Sequence, residues 1–216
     1  MGAMTSRPSP AELAEQQAKP LALSWIRSAM RVIERGDPRR DRAQAPDLLL
    51  SALHTNFAWA RVPPGERLGQ ARLIAATFAM IAEMLRLSAH RFKDASLAET
   101  RLYFPEPGPL PPSYTRFGRF IFFTPAFRAL GAGEGDELGP RCRAAIVLHE
   151  AVHLFDERAG EPEVHVSEWD EPRFSAQTPE QALHNPSAYA SFAAQVHHER
   201  TEWPVEARFG LGRASE

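Results

Sequence analysis

The sequence predicts a mainly helical α+β domain in which a small sheet packs beside one central helix. Three observations predict it. Apolar residues recur at helical spacing in three blocks before residue 86. A short aromatic run at Phe120–Phe123 has the length and composition of a strand. Residues 143–156 form a strongly apolar stretch without Gly or Pro, of helical length, and it carries His149-Glu150-Ala151-Val152-His153.

At 216 residues the chain fits one domain with a core of its own. A formal net charge of −2, with dispersed arginines, gives no reason to expect a nucleic-acid or anionic-membrane partner. The single cysteine, Cys142, excludes an internal disulfide framework and suits a reducing compartment, or a secreted protein stable without bridges. No run of membrane-spanning length and no Sec-type signal is expected, which places the chain in the cytoplasm or among proteins exported without that signal. Met1-Gly-Ala-Met4 reads as a tag-removal scar. The expected organisation is a scar and flexible lead-in over 1–20, one domain over 21–204, and a flexible tail over 205–216.

The elements follow in order. Trp25, Ile26, Ala29, Met30 and Ile33 give a first helix, stopped by Gly36-Asp37-Pro38. Leu49, Leu50, Leu53 and Phe57 mark a second, with His54 and Trp59 as packing residues. After Pro63-Pro64-Gly65 comes the longest of the three, with Leu68, Ala71, Ile74, Phe78, Ile81 and Leu85 as its stripe and Met80 and Met84 beside it. Residues 101–104 have strand composition, and the prolines from Pro105 to Pro112 form a stiff connector. The run at Phe120–Phe123 is expected as a buried strand, able to offer an edge to an extended peptide.

The chemistry lies in the H-E-x-x-H spacing. Two histidines four residues apart on a helix share a face, so their imidazoles can converge on one tetrahedral zinc ion. Glu150 is placed to act as general base toward a metal-activated water. Catalytic zinc requires a third protein ligand. Val164, Val166, Glu168 and Asp170 alternate with His165, Ser167 and Trp169, as in an extended segment. Inward valines would turn Glu168 inward too, so Glu168 is the expected third ligand. Asp170 stands next, with Glu163 or His165 behind. Asp156 is expected to orient a histidine rather than bind the ion.

Asn185-Pro186 signals the start of another helix, running on through residue 196. Tyr189 on that helix has two readings: a hydroxyl aimed at the oxyanion of a tetrahedral intermediate, or a core tyrosine. His184 is an alternative donor. His197 and His198 are expected as favourable charges at the helix C-terminus.

A strand ending in Phe-Phe-Thr-Pro-Ala-Phe, the His149-to-His153 helix, a carboxylate-bearing loop and the block from Asn185 through Tyr189 together resemble the deuterolysin and peptidyl-Lys metalloendopeptidase (aspzincin) group, over about residues 45–198. The resemblance implies a zincin-like fold and a zinc metallopeptidase acting on peptide or protein. In that group the third ligand is an aspartate in a Gly-Thr-x-Asp-x-x-Tyr-Gly segment, which this sequence lacks. Its Lys-specific members carry an acidic residue where Ser187 stands, so a Lys preference does not carry over. The chain is expected to be a divergent, bridge-free relative of bacterial type. A delivered effector protease is a variant of that reading. An inactive interaction module stabilised by zinc is its rival from another class.

Overall fold

The structure is a computed structural model describing residues 7–36, 46–87, 91–116, 118–130, 138–160, 164–168 and 170–203. Its centre is α7 (Leu138–Ala159). Residues 144–152 of this helix are buried on every side, as expected for a helix that is apolar nearly all round. It packs against α2 (Lys19–Arg35), α4 (Arg67–Arg86) and α10 (Pro186–His197), and α3 (Pro46–Asn56) packs on α10. The predicted stripes are the buried faces: Trp25, Ile26, Ala29 and Ile33 on α2, and Ile74, Phe78, Ile81 and Leu85 on α4. Leu50 departs from its predicted stripe and is exposed, whereas Leu49 and Leu53 pack inward.

Four expectations are corrected. The packed domain begins before residue 21. Ser9 caps α1 (Pro10–Leu13) through a capping box with Glu12. A π-helical turn at Ala14–Ala18 joins α1 to α2, and Leu13, Ala14 and Ala18 are buried. The predicted tail, 205–216, lies outside the described residues.

Residues 101–103 are helical, not extended. They belong to α5 (Leu97–Tyr103), which starts at a capping box in which Ser96 and Glu99 each satisfy the other's backbone amide. Local capping outweighs the β preference of Leu-Tyr-Phe there.

The sheet holds three strands, β1 (Phe92–Asp94), β2 (Ser113–Arg116) and β3 (Phe120–Phe123), in the order β1-β3-β2. β3 pairs parallel with β1 and antiparallel with β2. The run at Phe120–Phe123 is therefore the central strand, with both edges used, and cannot receive a peptide. The two edge strands of the described sheet are β1 and β2, and β2 is the one that packs on α7. Its turn into β3 passes through Gly118 at φ 57°, a left-handed conformation that favours glycine.

By length and composition alone, α4, with 20 residues, is also long and apolar enough for a membrane span. This departs from the expectation that no segment would be. Its apolar stripe is part of the core, while Leu73 and Met80 face outward. After β3, α6 (Pro125–Ala129) and the short α8 (Glu171–Ala176) and α9 (Pro179–Leu183) complete the described chain.

Candidate metal centre

The four-residue spacing on α7 does what helical geometry requires: His149 and His153 project from one face on successive turns. Their Nε2 atoms lie 3.1 Å apart. A third imidazole meets them from the loop at 164–168. The ring of His165 lies 5.2 Å from that of His149 and is stacked 5.4 Å from that of His153, centroid to centroid. The ligating nitrogens of His149, His153 and His165 all lie within 4.8 Å of one another.

This donor set could hold a metal ion. With Zn–N bonds of about 2.0–2.1 Å, adjacent corners of a tetrahedron are roughly 3.3 Å apart, and the His149–His153 pair is already near that spacing. The protonation states also fit. Burial holds His149 well below the ordinary imidazole value, and the neighbouring His153 and His165 push it further down. Burial and His165 hold His153 down to about 4. Both rings are thus neutral at pH 7, the form that ligates metals. The site is graded in exposure: His149 is buried, His153 half-buried and His165 exposed. It therefore sits at the rim of the core, with its open side toward the loop.

Glu150 lies beside the histidines on α7, buried, with Oε1 accepting a 2.8 Å hydrogen bond from Ser113 Oγ on β2. The carboxylate is thus held between the metal helix and the outer strand. On the other side of His149, Ser187 Oγ stands 3.5 Å from Nδ1, the outer limit of a hydrogen bond. Ser187 opens α10, where the Asn185 side chain caps its amide at 3.1 Å.

The remaining predicted site residues fall elsewhere. Glu168, the expected third ligand, is buried (1% exposed) but is not in the cluster. The alternation argument failed because 164–167 is irregular, not a strand. Val166 does pack toward the core and Glu168 is buried as well, but the group whose ligand atoms lie together is His149, His153 and His165. The odd-numbered His165 meets the α7 rings instead. Asp170 caps α8 and pairs with Arg173 at 3.3 Å. Glu163 lies outside the described residues. Asp156 does stand beside a histidine, but that histidine is His184, 3.7 Å away at Nδ1, and not a member of the cluster.

Tyr189 is a core residue. It is 1% exposed and packs edge-on against Phe57 and Phe78 at 5.0 and 5.2 Å. Burial drives its phenol far above the ordinary value; Thr77 works against the rise and the charge of Asp156 adds to it. Two residues along a helix is a rotation of about 200°, so Tyr189 projects opposite to Ser187 and away from His149. His197 stands 3.1 Å from Ser28 Oγ and lies against Trp25, as part of the packing between α2 and α10.

Comparison with protein-family models, with curated proteins and with solved structures finds no match for this chain. The resemblance to the aspzincin group therefore rests on the quoted sequence blocks alone.

Proposed function

We propose that the chain is a zinc-dependent metallopeptidase of zincin-like architecture, with His149, His153 and His165 as the metal ligands and Glu150 as general base. The observation that carries the proposal is the convergence of three imidazoles beside a buried carboxylate on the same helix. Bound there, zinc would supply Lewis acidity and bring the pKa of a coordinated water toward neutrality.

The chain's own groups do the rest. Glu150 accepts a proton as water attacks the scissile carbonyl and returns it to the leaving amine. Ser113 fixes one carboxylate oxygen and so limits the rotation of Glu150. A peptide extended along the outer strand β2 would run past the carboxylate that Ser113 holds, which fits strand addition as the mode of substrate binding. In this mechanism Tyr189, which is 1% exposed, takes no part as oxyanion donor.

The test is cleavage of a denatured protein by the zinc-loaded chain and by Glu150→Gln. Loss of general-base catalysis lowers the rate by about 10²–10⁴-fold, while zinc content stays the same. A Gln variant as active as the parent would remove Glu150 from the mechanism. Stoichiometric zinc in a parent chain that cleaves nothing would make the metal structural and favour an interaction module.

A further inference from the structure

His165 comes from a loop, and a loop has no periodicity to aim its side chains. Something must hold it against α7. The residue after it, Val166, is fixed through its backbone carbonyl, which accepts a 2.8 Å hydrogen bond from Asn185 Nδ2. The same amide nitrogen donates to Gln177 Oε1 at 2.7 Å. Gln177 is in turn anchored through Nε2 to the carbonyl of Phe174 at 2.8 Å. Asn185 Oδ1 accepts from the Ser187 amide at 3.1 Å, and Ser187 Oγ is the hydroxyl facing His149 Nδ1.

Asn185 is fully buried, and three of its four side-chain hydrogen-bonding positions, both donors among them, are used by these partners. A buried amide so satisfied has one favoured orientation, because turning it over would set carbonyl against carbonyl and leave donors unpaired. We infer that Asn185 is the positioning residue of the metal centre. It ties the His165 loop to the start of α10 and, through Ser187, to the outer nitrogen of His149. Its effect on metal affinity passes through His165. This rests on the reading of the three histidines as a metal site and extends it to the group that assembles them.

The test uses the whole chain, zinc in competition with a chromophoric chelator, and the visible spectrum of the cobalt(II) form. Asn185→Ser keeps a side-chain oxygen able to cap α10 but cannot reach the Val166 carbonyl. Zinc affinity is expected to fall about 10–100-fold, the usual cost of removing an outer partner of a metal ligand. The cobalt spectrum is expected to move toward that of His165→Ala. In a His165→Ala background, Asn185→Ser should cost nothing further, since the loop then has no ligand to place.

Unchanged affinity in Asn185→Ser, or an equal loss with and without His165, overturns the inference and leaves the metal site standing. A parent chain that binds no zinc overturns both. If Asn185→Ser does not fold, Asn185→Asp carries the same comparison. If neither folds, Asn185 is a residue of the fold and not of the site.

Discussion

Metal-free protein should lose stability in mild acid through His153. Its imidazole is held at about 4, against an ordinary value of 6.5, by burial and by the neighbouring His165. A histidine whose value is depressed by folding favours the folded state while it is unprotonated. Its contribution is complete above the unfolded value and is lost as pH falls from there toward the folded value. At pH 5 the unfolded imidazole is almost wholly protonated and the folded one barely so, which costs roughly 2 kcal/mol. The full shift is worth about 3 kcal/mol near pH 4. In a chain of this length, roughly 2 kcal/mol moves Tm by about 4–8 °C.

The assay is urea or thermal unfolding in the presence of chelator at pH 7 and pH 5, for the parent and for His153→Gln. Carboxylates add an acid loss of their own in both proteins, so the difference between the two isolates His153. The Gln variant should lose about 2 kcal/mol less between these pH values. Equal losses would refute the depressed imidazole, and with it the claim that burial prepares this ring for a metal.

Two further outcomes follow from the placement of the other candidates. Tyr189→Phe should leave cleavage within a few-fold of the parent, because the residue is buried in the core, and should change stability in denaturant unfolding by no more than about 1 kcal/mol, the scale of one buried hydroxyl's hydrogen bonding. A drop of 10²-fold or more in kcat, with stability intact, would restore the oxyanion role. Glu168→Gln should retain full zinc affinity in the chelator competition, since the carboxylate stands outside the cluster; loss of zinc from the folded variant would return Glu168 to the ligand set.

What could be predicted from the sequence was whatever is fixed by neighbours along the chain. The spacing of His149 and His153 is a helix property, and so is the stripe that packs α4 on the core, so both were legible. The third imidazole of the cluster was legible only as one candidate among several. The loop that carries His165 is tied down by a hydrogen bond between residues 19 positions apart, Asn185 to Val166, and no periodicity records such a link. Alternating burial does not run through 164–170, where Val166 and Ser167 are both half-buried and only Glu168 among the described residues is fully buried. The helix at α5 is written in the sequence as the Ser96-x-x-Glu99 capping box, which overrides the strand composition of the residues that follow it. Tyr189 carried two readings because a tyrosine on an apolar helix face looks the same whether it meets substrate or the core.

The central claim is that three imidazoles share one ion. Crystals grown with zinc and measured on both sides of the zinc absorption edge test it directly. A single anomalous peak within bonding distance, about 2.1 Å, of nitrogens from His149, His153 and His165 is the predicted result. A peak bound to Glu168 in place of His165, or no peak between the rings on α7, would contradict it.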